Sequence, residues 1–172
     1  QAIPVALAQS VSSLCYSSVV LFLALYADEI GLVSAAGFFF VVWAAVVMVS
    51  RPFVGRRFDA KGENSVMYAA FLVCALGLAV FSQARTGWML LVAAVVIGLG
   101  FGAVQSSGQA IVAKIIPPHR MGLAVSTQFV FIDAGVGVGS LLWGTLIPFT
   151  GYRGMYVAAA VVAGSCLLLY WA

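Results

Sequence analysis

Residues 87–113 read GWMLLVAAVVIGLGFGAVQSSGQAIVA and contain no charged side chain. The hydrocarbon core of a bilayer is about 30 Å thick, and a helix needs roughly 20 apolar residues to cross it. A run of this length is far too long for a strand of a membrane β-barrel. A helix also satisfies its backbone hydrogen bonds within the segment, as lipid requires. The stretch therefore predicts a membrane-spanning helix.

Five further stretches of this kind lie on either side of it, separated by charges and turn residues. The six predicted spans are 3–27, 32–50, 65–84, 87–113, 121–149 and 153–172. Asp133 is the only charge that interrupts a span. The sequence thus predicts an all-α membrane protein with six transmembrane helices.

The composition argues against soluble classes of protein. Apolar residues make up 64% of the chain and charged residues only 8%, whereas about a quarter of a soluble domain is charged. The net charge of +3 comes without a basic tail, so no nucleic-acid partner is expected. Cys15, Cys74 and Cys166 lie in apolar runs and are interpreted as buried thiols, which leaves no predicted metal site. The chain opens without Met and stops within an apolar run, which indicates a fragment.

Basic residues are distributed unequally between the two predicted faces. One face carries two basic connectors, formed by Arg51, Arg56, Arg57 and Lys61 and by Lys114, His119 and Arg120. The other face carries only Arg85 and Arg153 as basic residues. The positive-inside rule places the two basic connectors and both termini in the cytoplasm. The protein is expected in the inner (plasma) membrane.

The chain also divides into two three-helix units, 1–86 and 87–172. Gly55 and Gly62 are seven residues apart in the first unit, and Gly144 and Gly151 have the same separation in the second. An odd number of spans in each unit makes the two units insert in opposite senses. Nested inverted three-helix units are typical of transporter halves.

Two predicted helices carry polar faces near the middle of the membrane. The first helix contributes Gln9, Ser12, Ser13 and Tyr16, and the fourth contributes Gln105 and Gln109. Polar groups in hydrocarbon are costly, so these faces should meet water or other helices. Two interpretations remain open: a water-filled substrate and proton pathway, or hydrogen bonds that only hold the bundle together.

Asp133 is the most distinctive single residue. It lies about 18 Å of helix rise from the basic end of its helix, close to the bilayer midplane. A carboxylate at this depth is a candidate to carry a coupling proton, bind a cationic substrate or pair with a base. The alternative interpretation is an acid that serves only helix packing.

Two pairs of glycines have the spacing of close helix contacts. They are Gly98 with Gly102 and Gly135 with Gly139. Small residues four apart let two membrane helices bring their backbones together. The sequence therefore predicts that both pairs lie at helix–helix interfaces.

The connector Arg51-Pro52-Phe53-Val54-Gly55-Arg56-Arg57-Phe58-Asp59-Ala60-Lys61-Gly62 resembles motif A of the major facilitator superfamily. That motif places Gly, Asp and Gly among basic residues in the cytoplasmic loop after the second helix of each half. The resemblance implies that Arg51, Gly55, Arg56, Asp59 and Gly62 form a cytoplasmic gating motif. Residues 117–124 and 133–155 resemble the family's eleventh helix, its entry loop and the turn that follows.

The resemblance implies a six-helix bundle that is the C-terminal half of a twelve-helix secondary transporter. The N-terminal half, a small-molecule substrate, protons and the lipid bilayer would be its partners. Transport would proceed by alternating access, most simply as proton-coupled efflux, and would need no cofactor.

Three other functional classes are weighed against a transporter. An intramembrane protease needs a base at membrane depth, and the only histidine, His119, lies in a connector, so the chain is not expected to be an enzyme. A channel-like protein is one alternative, although no channel-filter sequence is evident. A self-associating structural module remains an alternative, because an isolated half would expose faces that favour homodimers.

Overall fold

The computed structural model describes residues 2–171, with side chains described for 6–117 and 119–166. Its helices are α1 (Ala2–Glu29), α2 (Val33–Ser82), α3 (Gly87–Ile115) and α4 (Met121–Trp171), with a 3-10 turn at Pro118–Arg120. Each of the four α-helices is long and apolar enough to cross a membrane. The predicted all-α class of fold is confirmed.

The predicted number of six helices differs from the structure, which has four in the part of the chain that it describes. α1 and α3 agree with two of the predicted spans. α2 and α4 each cover two predicted spans together with the connector between them. The difference arises because residues 51–61 of α2 and 150–152 of α4, which the sequence suggests as connectors, lie within helices interrupted only at Gly62 and Gly151.

Each of the two long helices is interrupted at one glycine. Gly62 in α2 has φ 79° and ψ 168°, and Gly151 in α4 has φ 68° and ψ 174°. This backbone region is essentially restricted to glycine. We call residues 33–61 and 63–82 the first and second segments of α2, and residues 121–150 and 152–171 the first and second segments of α4.

Both long helices fold back at these glycines. A straight helix of 50 residues, the length of α2, would be about 75 Å long. Instead, Phe39 in its first segment and Phe81 in its second meet edge to face, with 5.5 Å between ring centroids. In α4, Trp143 and Tyr156 lie on opposite sides of Gly151, yet both side chains donate hydrogen bonds to carbonyl groups of α1, at Leu14 and Ser18.

Replacing Gly62 with Ala is expected to destabilise the protein by about 1–3 kcal/mol, because a Cβ strains this backbone conformation. Lack of space is not the cause, since no atom lies within 4 Å of a Cβ built there. Gly55→Ala is the matched control, because Gly55 is helical and equally open. Thermal unfolding in detergent should separate the two variants. Equal melting temperatures would contradict a specific role for Gly62.

Contacts between the helices define the two ends of the bundle. At one end, the Tyr26 hydroxyl donates to the carbonyl oxygen of Ser82 at 3.2 Å, and its ring packs on Tyr156. At the other end, Arg51 and Asp59 of α2 and Lys114 of α3 line one cavity of about 430 Å³. Residues of the two basic connectors therefore lie at the same end of the bundle.

Glycines allow the helices to pack closely, as the paired spacing predicts. A Cβ at Gly135 would overlap the Ser10 carbonyl oxygen, and one at Gly139 would lie 2.7 Å from that of Leu14. These contacts join α4 to α1. A Cβ at Gly98 or Gly102 of α3 would make a tight contact with α2, 3.2 Å from the Trp43 carbonyl oxygen or from the Val47 side chain. The prediction that both glycine pairs lie at helix interfaces is confirmed.

Candidate functional site

The polar face of α1 lies inside the bundle. Gln9, Ser12 and Ser13 are at most 2% exposed, and Tyr16 is half-buried. These residues share one face because they are three or four positions apart in the helix. Their burial means that α3 and α4 cover this face of α1.

Three glutamines form a chain of hydrogen bonds across three helices. The Gln128 side-chain amide of α4 donates to the Gln9 carbonyl oxygen at 2.6 Å. The amide of Gln9 in turn donates to the carbonyl oxygen of Gln105 on α3 at 3.2 Å. Gly108 makes room for this arrangement, since a Cβ there would overlap the Gln9 amide. We call these three residues the glutamine relay.

Several buried polar atoms close to the relay have no hydrogen-bond partner within the described residues. They are the hydroxyl groups of Ser12, Ser13 and Ser107 and the carbonyl oxygen of the Gln128 side chain. Leaving such a group unpaired costs about 1–3 kcal/mol. The core of the bundle therefore has hydrogen-bonding capacity that its own helices do not use.

A cavity of about 260 Å³ reaches the relay from the end of the bundle that carries the basic connectors. Gln9 and Gln128 lie on its wall, and Arg120 and Thr127 line it as well. The remaining lining is almost entirely apolar. This cavity gives the two buried amides a route to the exterior of the bundle.

Tyr16 belongs to a separate aromatic group. Its ring stacks on Phe101 of α3, with 4.0 Å between centroids, and on Trp43 of α2 at 5.3 Å. Aromatic pairs of this kind add about 0.5–1.5 kcal/mol beyond the burial of their surface. Tyr16 therefore ties α1 to α2 and α3 two turns beyond Gln9.

The two predicted glutamines of α3 have different surroundings. Gln105 is half-buried and accepts the hydrogen bond from Gln9. Gln109, one turn further along, is exposed. The structure thus brings Gln9 and Gln105 together and leaves Gln109 at the surface of the bundle.

Asp133 is exposed on the opposite side of α4 from the relay. Gln128, Gly135 and Gly139 form the buried face of α4, which packs on α1, and Asp133 points away from it. Within the residues that the structure describes, Asp133 makes no hydrogen bond or ion pair. Its carboxylate is therefore remote from the polar residues of α1 and α3.

The residues of the connector motif divide between a cavity and the surface. Arg51, Gly55 and Asp59 line the 430 Å³ cavity together with Lys114 and Ser107. Arg56 is exposed and is not among the lining residues, and Gly62 forms the break of α2. Asp59 has no ion-pair partner in the described part of the chain. The basic side chains of Arg51 and Lys114 nevertheless line the same cavity as Asp59.

Sequence reasoning missed two residues that hold α1 against α4. Gln128 completes the relay, and the indole of Trp143 donates to the Leu14 carbonyl oxygen at 2.7 Å. Both share a helical face with Gly135 and Gly139, at intervals of four and seven residues. A search for side chains on the glycine face of α4 would have found them.

Replacing Gln9 with Met is expected to destabilise the protein by about 1–2 kcal/mol, because both of its interhelical hydrogen bonds are lost. Met has a similar shape and leaves the Gln105 and Gln128 side chains without their shared partner. Gln109→Met is the matched control, since Gln109 is exposed on α3. Thermal unfolding in detergent should show a loss for Gln9→Met alone. Equal melting temperatures of the two variants would contradict a structural role for the glutamine relay.

Comparisons with known proteins identify the family of sequences that this chain resembles. A sequence model of the Major Facilitator Superfamily matches residues 5–172. "Uncharacterized MFS-type transporter YhhS" from Salmonella typhimurium is 29% identical over 171 residues, which cover 96% of this chain and 40% of that protein. The protein of the same name from Escherichia coli K12 is 28% identical over 171 residues, with the same coverage. The protein of the same name from Escherichia coli O157:H7 is 30% identical over 133 residues, which cover 74% of this chain and 33% of that protein. The chain thus spans about 40% of the length of its full-coverage relatives.

Proposed function

Because this chain belongs to the major facilitator superfamily, we propose that it is the C-terminal half of a secondary active transporter. The complete protein moves a small molecule by alternating access, as proton-coupled efflux. The N-terminal half, the substrate and protons are its partners. This half contributes polar side chains to the pathway and an acid at membrane depth.

The proposed half crosses the membrane six times. α1 and α3 each cross once, and α2 and α4 each cross twice because they fold back at Gly62 and Gly151. The contact between Phe39 and Phe81 across the break of α2 supports this arrangement. On this basis residues 1–86 and 87–172 are two inverted three-helix repeats.

Both termini and both basic connectors lie in the cytoplasm in this proposal, with the protein in the inner membrane. Six of the eight Lys and Arg residues belong to these two connectors. The cavity shared by Arg51 and Lys114 supports their location on one side of the bilayer.

Exposure of Asp133 at membrane depth is the observation that carries the transport proposal. A charged Asp at the bilayer centre costs about 2.5–3.5 kcal/mol on insertion scales. Nothing in the described residues offsets that cost through an ion pair or hydrogen bond. A carboxylate in this position is explained if it faces the other half of a transporter, where it takes up and releases a proton.

Gln105, Gln109 and Tyr16 are the proposed substrate-facing residues, since they are exposed or half-buried at the surface of this half. Gln9, Ser12 and Ser13 lie behind them. Gln9 holds Gln105 in place through its hydrogen bond. In this proposal Gln9, Ser12 and Ser13 support the pathway from inside the bundle, and Tyr16, Gln105 and Gln109 line it.

Proteoliposomes that contain the full-length protein and trapped pyranine, a pH indicator, test the proposal. Cationic dyes, sugars and organic acids are added in turn under an imposed pH gradient. We expect at least one class to drive a proton flux that a protonophore abolishes and empty liposomes lack. Substrate movement that is independent of the pH gradient would contradict proton coupling.

A further inference from the structure

An apolar groove of about 640 Å³ runs between the two segments of α2, with α3 on its third side. Val49 and Phe53 line it from the first segment, Ala69 and Val73 from the second, and Leu99 from α3. Val49 and Phe53 are more than 60% exposed. The groove is therefore open to the surroundings of the bundle along its length.

A single charged side chain, Arg57, lies among the lining residues, at the end of the groove nearest the break of α2. Arg57 is exposed and has no ion pair or hydrogen bond in the described part of the chain. Ser50 is the other polar lining residue, and its hydroxyl already donates to the Val47 carbonyl oxygen at 3.0 Å. Asp59, the nearby acid, lines the neighbouring cavity instead.

An apolar lining with one basic side chain at its end is complementary to a molecule that is apolar along its length and anionic at one end. We propose that the groove binds an acyl chain of an anionic phospholipid, with the phosphate at Arg57. The inference rests on the proposed insertion of this bundle in a bilayer, where the basic end faces the anionic cytoplasmic leaflet.

The size of the groove favours a lipid chain over a helix from another part of the protein. A helix with its side chains is about 10–12 Å across, so 640 Å³ holds only about four or five helical residues. A spanning helix would need several times that volume. A methylene chain is far thinner than a helix. It makes no hydrogen bonds, which suits a groove whose lining is almost entirely apolar.

Photo-cross-linking tests the site in the full-length protein in lipid nanodiscs. The probes are phosphatidylglycerol and phosphatidylcholine that carry the same diazirine-labelled acyl chain, and mass spectrometry locates the adducts. We expect phosphatidylglycerol adducts on the groove residues, with several-fold fewer from phosphatidylcholine. Arg57→Gln should lower the phosphatidylglycerol adducts about fivefold, the factor expected for one basic side chain at an anionic surface.

Two matched controls define the site. Arg56→Gln removes a neighbouring charge that does not line the groove, so its effect should be less than twofold. Ala69→Phe fills the groove and should remove the adducts, whereas Leu72→Phe, at an exposed position in the same segment, should leave them.

Three results would overturn the proposal. They are adducts spread evenly over the exposed surface, equal labelling by the two lipids, and equal effects of Arg57→Gln and Arg56→Gln. Labelling needs no transport, so it is independent of the pyranine assay. If proton flux is observed but the adducts are not localised to the groove, the lipid site is wrong and the transport proposal stands. If the adducts lie in the groove but no proton flux is observed, only the transport proposal is wrong.

Discussion

Replacing Asp133 with Asn in the full-length protein is expected to reduce pH-gradient-driven transport to the level of empty liposomes. Asn has nearly the same shape but cannot take up or release a proton. If Asp133 carries the coupling proton, substrate movement should also lose its dependence on pH. The measurement is pyranine-reported proton flux in proteoliposomes, with the substrate class that the wild-type protein accepts.

The stability of Asp133→Asn distinguishes a functional acid from a packing acid. Asp133 is exposed and makes no hydrogen bond or ion pair within the described residues. The amide also avoids the cost of a charge in hydrocarbon. The melting temperature should therefore stay the same or rise while transport is lost. Glu29→Gln, an exposed acid at the end of α1, is the control and should retain transport. Wild-type rate and pH dependence in Asp133→Asn would leave this residue without a role in coupling.

Gly135→Ala is expected to destabilise the protein by about 1–3 kcal/mol. The added Cβ would overlap the backbone carbonyl oxygen of Ser10, and a backbone atom cannot move aside as a flexible side chain can. α1 and α4 would have to separate along the interface that also holds the glutamine relay. Thermal unfolding of the full-length protein in detergent measures the loss.

Gly137→Ala is the matched control for Gly135→Ala. It lies two residues away on the same helix, and a Cβ there has no atom within 4 Å. Alanine favours a helix over glycine by up to about 1 kcal/mol, so this variant should be neutral or slightly more stable. If the two variants melted at the same temperature, close packing of α4 on α1 would be wrong.

The sequence is sufficient to predict which parts of the chain are helical, but not where the long helices α2 and α4 continue or break. α1 and α3 follow from uninterrupted apolar runs bounded by charges and turn residues. The continuity of α2 through its charged residues could not be read from hydropathy, because charged side chains favour a helix as readily as a loop. The breaks at Gly62 and Gly151 depend on backbone angles that a glycine permits but does not impose.

The sequence predicts only part of the candidate site, because it shows which residues share a helix face but not what that face packs against. Gln9 and Gln105 stand out because polar side chains are rare in apolar runs, and the structure brings them together. Periodicity finds the two faces of α4, one with Asp133 and one with Gly135, but does not indicate which face packs on the same bundle. That choice depends on the shape of α1, where Ser10 leaves space for a glycine contact. Gln128 was missed because the rest of its face, with Ile132, Gly135 and Gly139, is small or apolar and does not stand out as a polar face.

Cysteine accessibility in sealed, oriented vesicles tests the six-crossing arrangement most directly. Single cysteines at Arg56, Arg85 and Lys114 report the end of the first segment of α2, the turn between α2 and α3, and the end of α3. Arg56 and Lys114 should react with a membrane-impermeant maleimide from the cytoplasmic side only, and Arg85 from the opposite side only. Labelling of Arg56 and Lys114 from opposite sides of the membrane would contradict the account.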